Sequence, residues 1–221
     1  MTTVALAIGL VEPIGEYATL VNTIRSWLNR DDLTDIQITE FIAMFEARIN
    51  RVLRHPEMEE VVSATLTTGN NDLPADFLAM RSIYRDKQEL KAMTPSGLVR
   101  EYGTGSGPAV AYTIIGSNPR KIRLGPQPSA DTPVTMIYYK KMVGVDENNS
   151  DNWLLNEHPD LYVYGTLLAA EAYLANDERL GIWKSAFDEA LAELDQNGQR
   201  DRYGSAPLTM SGVGQVRGVR A

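Results

Sequence analysis

FIAMFEARINRVLRHPEMEEVVSATLTTGN, residues 41–70, changes its hydrophobic period halfway along, and that change decides the fold class. Around its first half, Ile38, Ile42, Phe45, Ile49, Val52 and Leu53 recur at three- and four-residue steps, the stripe of an amphipathic helix. Pro56 lacks an amide proton and pushes His55 out of helical geometry, so the helix is predicted to end near Arg54. From Glu60 the pattern alternates instead, Val62, Ala64 and Leu66 against Ser63, Thr65 and Thr67, until Gly69-Asn70-Asn71 turns the chain. Helix gives way to strand within a few residues.

Working outward toward the N-terminus, Tyr17, Leu20, Val21, Ile24, Trp27 and Leu28 predict a helix over 15–29. The polar turn Asn29-Arg30-Asp31-Asp32 follows, and Thr34 with Gln37 has the spacing of a capping box that opens the second helix. The two stripes make an antiparallel hairpin.

Toward the C-terminus, strands are predicted at Met80–Arg85, Gln88–Met93, Val110–Ile115, Lys121–Leu124 and Val134–Met142, with turns at Asp86-Lys87, Gly103–Pro108 and Asn118-Pro119. Thr94-Pro95 opens one or two helical turns that reach Tyr102. After the polar loop Asp146–Asn152, Pro159 suits the first turn of a helix whose residues 161–175 are apolar on nearly every side. Such a helix is surrounded, by its own bundle or by another chain. Asp177 and Glu178 begin a last helix with the stripe Leu180, Trp183, Phe187, Ala190, Leu191 and Leu194, and Gly198 is placed as its stop. Residues 201–221 lose periodicity and read as an extended arm. The expected fold is therefore α+β. Both ends of the chain, 14–57 and 153–200, form an antiparallel helical bundle, a small antiparallel β domain is inserted at 58–145, and an arm follows at 201–221.

The 221 residues contain no cysteine, which removes disulfides, thiolate catalysis and most structural zinc sites. No run of eighteen apolar residues could span a bilayer, and Val4–Val11 lacks the basic flank and cleavage site of a signal peptide. Solubility, synthesis in the cytoplasm and no membrane partner are the expectations. A net charge of −8 argues against ordinary phosphate-backbone binding. The charge is unevenly placed: Arg200, Arg202, Arg217 and Arg220 stand against Asp201, a local +3 that leaves −11 on residues 1–199. Body and tail have separate jobs.

Each candidate for chemistry has a plainer reading that is favoured. His55-Pro56 and His158-Pro159 lack a supporting carboxylate or cysteine constellation, so His55 reads as a cation at a helix C-terminus and His158 as a residue at a helix start. Asp146, Asn148, Ser150 and Glu157 partly match a calcium loop over 146–157, but Asp151 stands where the turn needs glycine and a strand precedes it. Gly103–Pro108 fits neither phosphate-loop fingerprint and reads as a flexible connection. Glu57, Glu59 and Glu60 could supply paired carboxylates for glycoside hydrolysis, yet three acids in a polar turn are more often a solvated surface. There is no Gly-x-Ser-x-Gly nucleophile elbow. Along Tyr138-Tyr139-Lys140-Lys141, strand alternation splits the aromatics and cations between two faces, so no stacking platform for single strands forms. The expectation is no enzymatic activity, no metal and no cofactor.

Three segments together resemble a known family: IRSWLNRDDLTDIQITEFIAMFEARINRVLRHPEM (24–58), LPADFLAMRSIY (73–84) and NWLLNEHPDLYVYGTLLAAEAYLANDERLGIWKSAFDEAL (152–191). They are similar to the head-to-tail adaptor (connector) proteins of tailed bacteriophages, the short-tailed type especially, over roughly residues 17–210. The resemblance implies a structural virion protein at the head-tail junction, assembled as a ring, commonly dodecameric, that docks under the portal and joins capsid to tail. The implied partners are the portal protein, neighbouring adaptor subunits and a downstream tail or nozzle protein, with DNA passing through unbound. C-terminal segments of such adaptors extend to grip the portal, which makes Tyr203, Pro207, Leu208, Met210 and Val213 the candidate apolar anchors and Arg217 and Arg220 the polar ones. Twelve copies would carry on the order of −100 charges, and like charge keeps DNA from adhering to a conduit. The rival readings are a virion-associated cell-wall hydrolase and a receptor-binding tail module.

Overall fold

The computed structural model describes residues 14–30, 32–116, 118–170, 173 and 178–203. Thr34 opens the second helix as its spacing predicts: the Thr34 hydroxyl accepts from the Gln37 amide at 3.3 Å, and the Gln37 side chain accepts from the Thr34 amide at 3.0 Å. This helix, α2 (Asp35–Val52), lies beside α1 (Tyr17–Leu28), which ends on Asn29 in the left-handed conformation, φ 53°. A 3-10 turn at Pro56–Met58 leads into β1 (Glu59–Leu66). Then come β2 (Asn70–Asp72), β3 (Phe77–Arg85), β4 (Gln88–Glu89), β5 (Lys91–Ala92), α3 (Pro95–Tyr102), β6 (Ala111–Ile115), β7 (Lys121–Gly125) and β8 (Thr132–Lys140). The chain returns to helix with α4 (Trp153–Glu157), α5 (Pro159–Ala169) and α6 (Leu180–Tyr203). The α+β class expected from the sequence is the observed one.

The strands form two four-stranded sheets where one β unit was expected, ordered β1-β8-β3-β4 and β2-β7-β6-β5. All pairs are antiparallel except β5 with β6. The single strand predicted at Gln88–Met93 is split between the two sheets. Buried Leu90 sits at the crossing, its amide donating to the Ile83 carbonyl at 2.9 Å. Alternation detects a run of extended residues but not a change of partner.

Buried side chains gather in two clusters. Leu66, Ile83, Leu90, Ile122, Leu124, Val134 and Met136 belong to a β core; Leu20, Ile24, Ile38, Phe45, Ile49, Leu154, Tyr162, Leu167, Phe187 and Leu194 belong to a helical core. Two helix stripes are narrower than their sequence suggests. Trp27 is 42% exposed, its ring edge-on to Tyr164 at 5.7 Å, and Val52 is 59% exposed, while Phe41 is buried instead.

Helix α5 explains its own composition. It packs against α1, α2, α4 and α6, so its apolar surround comes from this chain. Gly165 sets how closely it lies: a Cβ there would stand 2.2 Å from Phe45 Cδ2 and 3.1 Å from Phe187 Cε2. Residues 171–175 of the predicted helix, apart from Tyr173, lie outside the described residues.

Gly198 is not a stop. Helix α6 runs through it for 24 residues to Tyr203, and Gly198 lacks the positive φ of a terminating glycine. A Cβ on Gly198 would lie 2.6 Å from His55 Cδ2 and 3.1 Å from Pro56 Cδ. The glycine is there for space, and residues 201–203, expected to begin the arm, belong to the helix.

Candidate functional site: the end of the last helix and the junction it clamps

The turn between α2 and β1 carries His55, and the last turn of α6 lies over it. His55 is buried, its ring stacked on Trp153 at 5.2 Å, and its Nδ1 accepts from the Glu57 amide at 3.3 Å. Burial lowers its pKa, with His158 and Arg202 acting in the same direction against Glu57 and Asp201. The expected helix-terminal cation is therefore a buried, neutral cap whose Nε2 finds no partner among the described residues. The C-terminal cation of α2 is Arg54, which donates to the carbonyls of Asn50 and Leu53.

Arg202, one turn beyond Gly198, ties α6 to the end of α2 and to strands β1 and β8. Its Nη2 donates to the Arg54 carbonyl, its Nε lies 3.6 Å from Glu59 Oε1, and its guanidinium lies 5.4 Å from the Tyr139 ring centroid. Glu59 also receives Arg81, and Glu60 receives Lys140 at 2.7 Å. Two of the three acids expected as solvated surface thus hold cations and position strands.

Tyr138 and Tyr139 stand side by side on β8 and reach opposite cores. Tyr138 packs in the β core, its hydroxyl donating to Asp76 Oδ1 at 3.2 Å; burial first, then Asp76, push its pKa up to about 12. Tyr139 packs in the helical core beneath Arg202. The period of two that argued against a nucleic-acid platform makes this pair a rivet between the cores.

A second polar set lies on the buried face of α2, and no local pattern announces it. Glu46 accepts from the Val145 amide at 2.8 Å and from the Tyr162 hydroxyl at 2.9 Å. Asn50 accepts from the Met142 amide at 2.8 Å and donates to the Met142 carbonyl at 3.4 Å. Asn152 donates to the Val143 carbonyl and to Tyr162 Oη. The strand expected to reach Met142 ends at Lys140, and these bonds give the backbone of residues 142–145 the partners that a sheet would otherwise supply. Burial raises the Glu46 pKa, helped by Asp146 and opposed by its two donors.

The loops are likewise committed to structure. Asp146 Oδ1 accepts from the amides of Asn148 and Asn149, and Glu157 is the last residue of α4. Among the described residues no group of three or more His, Asp or Glu could hold a metal ion. The Gly103–Pro108 segment, expected to be flexible, is tied to Gln127: Gly107 donates to the Gln127 carbonyl and Gln127 to the Gly105 carbonyl, each at 3.1 Å. No described helix is long and apolar enough to cross a membrane.

Of the candidate anchors, Tyr203 is the last residue of α6. Pro207, Leu208, Met210, Val213, Arg217 and Arg220 lie outside the described residues. A family model described as SU10 adaptor protein matches residues 16–211, spanning both cores and continuing eight residues past the end of α6. No curated protein matches the chain.

Proposed function

The chain belongs to the SU10 adaptor protein family, a family of phage head-to-tail adaptors, and from that premise we propose that it forms a ring beneath the portal, joins capsid to tail and lines part of the DNA path. Membership makes it a phage adaptor, a structural component of the virion. The finer reading assigns the portal, neighbouring copies of the chain and a downstream tail protein as partners, and the segment after Tyr203 as the portal grip. Its working parts would be two units, 14–57 with 153–203, and 58–145 inserted between them, in keeping with the two hydrophobic clusters.

One observation carries this reading: the match does not stop where the helix stops. It reaches Ser211, so the matched stretch covers the positions of Pro207, Leu208 and Met210. Apolar residues in a segment with no helical period beyond the last helix are suited to bury against a partner, with ordering supplied by binding. The hydrolase reading draws no comparable support, because Glu59 and Glu60 are engaged by cations instead of facing each other across a cleft.

Co-sedimentation with assembled portal tests the proposal. The full chain should pellet with portal, and a chain ending at Tyr203 with an unchanged circular-dichroism spectrum should stay in the supernatant. Equal binding by both would remove the arm from the function.

A further inference from the structure

The site of His55 is built for a neutral ring. Nδ1 accepts from the Glu57 amide at 3.3 Å and caps the turn Pro56–Met58, so the ring's one proton sits on Nε2. The residue is 6% exposed, its ring is stacked on Trp153 of α4, and Nε2 has no partner among the described residues. Helix α6 closes over that atom: a Cβ on Gly198 would stand 2.9 Å from Nε2 and 2.6 Å from Cδ2.

A second proton has no place in this arrangement. It would bind Nδ1, where the ring N–H and the Glu57 N–H would then point at each other, and the cap would be lost. Charged and titratable groups face the ring from the elements packed on it: Glu57 in its own turn, His158 at the start of α5, and Asp201 and Arg202 on α6. Glu57 and Asp201 would attract an imidazolium, but both are exposed to water, and Arg202 repels it. At the end of α2, Arg54 is another cation, engaged with the carbonyls of Asn50 and Leu53; α4 presents uncharged Trp153. A charged ring is better accommodated in water than here.

The clamp on α6 is attached to the same stretch of backbone. Arg202 Nη2 donates to the Arg54 carbonyl, which belongs to the peptide bond joining Arg54 to His55. Swinging the ring outward turns the group that holds the helix end.

We propose that His55 is a proton-operated latch: protonating its ring drives it out of the turn between α2 and β1 and frees the end of α6 around Gly198 and Arg202. The release is local, because Trp183, Phe187 and Leu194, the buried residues that anchor α6, all precede Gly198. The latched ring binds a proton more weakly than a free one, so release is favoured as pH falls below 6.5. This goes beyond the adaptor reading and stands without it.

The full-length protein tests the latch. It has no cysteine, so nitroxides can be placed at Val52→Cys on α2 and Gln199→Cys on α6, two exposed positions. Pulsed dipolar spectroscopy should give one narrow distance at about pH 7.5 and, below 6.5, a second and longer one whose ratio to the first grows about tenfold per pH unit. His55→Asn, which keeps an acceptor for the Glu57 amide, should hold the single distance throughout, and His158→Gln should behave as the parent. In the parent, the His55 ring carbon followed by NMR should titrate with the midpoint of the release, a comparison that stands even if His55→Asn does not fold. A distance unmoved by acid in the parent, the same movement in His55→Asn, or a ring midpoint apart from that of the release would each overturn the proposal.

Discussion

Glu46 and His55, both buried along or just after α2, make stability depend on pH in opposite senses. A carboxyl whose folded pKa is raised binds its proton more tightly in the native state, so its contribution to stability falls as pH rises from the ordinary value of 4.5 through the folded one. A histidine whose folded pKa is lowered does the reverse: its contribution is complete above 6.5 and is lost as pH falls below that value toward the folded pKa. Glu46→Gln keeps an acceptor for Val145 N–H and Tyr162 O–H without a buried charge, and it should be at least as stable as the parent at pH 7. Glu46→Ala strands both donors and should cost about 2–4 kcal/mol in urea denaturation. Were the glutamine variant to lose as much as the alanine one, the carboxylate charge itself would be stabilising. His55→Asn retains a side-chain acceptor for the Glu57 amide, and its stability should respond less to pH below 6.5 than the parent's, read from denaturation midpoints across pH.

At the scale of elements, α5 is where composition and packing agree most directly. Its apolar surface on every side announced a central helix, though a sequence cannot say whether the surround comes from the same chain, and four helices of the same chain supply it. Gly165→Ala would push a methyl group into Phe45 and should cost roughly 1–3 kcal/mol, whereas Gly181→Ala in α6 meets nothing within 4 Å and should gain up to about 1 kcal/mol. A pair of thermal melts compares them, and equal melting temperatures would mean that α2, α5 and α6 can separate freely. The stripes, the capping box at Thr34, the alternation of β1 and the Pro95 start of α3 were all legible because each is written in residues close together. Gly198 misled for the same reason. Near the end of a helical pattern a glycine reads as a stop, while its actual cause, the ring of His55, lies far away in sequence. The split at Leu90 was hidden too, since strand period carries no information about which sheet a residue joins.

Across the whole molecule, the last helix is tied to the end of α2 and to strands β1 and β8 by residues brought together from Arg54, Glu59, Tyr139 and Arg202, a constellation that no local pattern encodes. Family resemblance pointed to the segment after the last helix but could not show that the helix itself reaches Tyr203, or that its final turn is structural. This moves the boundary between what can be removed and what cannot. A chain ending at Tyr203 keeps every described contact of α6. A chain ending at Arg200 loses the guanidinium that bonds the Arg54 carbonyl, meets Glu59 and covers Tyr139, and it leaves Glu59 with Arg81 as its remaining described ion pair. A partly buried arginine with a charge-assisted bond and an aromatic neighbour is worth about 1.5–3 kcal/mol, or roughly 3–12 °C of melting temperature in a domain of this size. The expected order in calorimetry is therefore the full chain, then the chain ending at Tyr203 within a few degrees of it, then the chain ending at Arg200 clearly below. Arg202→Ala in the full-length protein should reproduce most of that second drop, because the loss belongs to one side chain and not to chain length. A variant that melts with the full chain would show that α6 holds its place without the clamp.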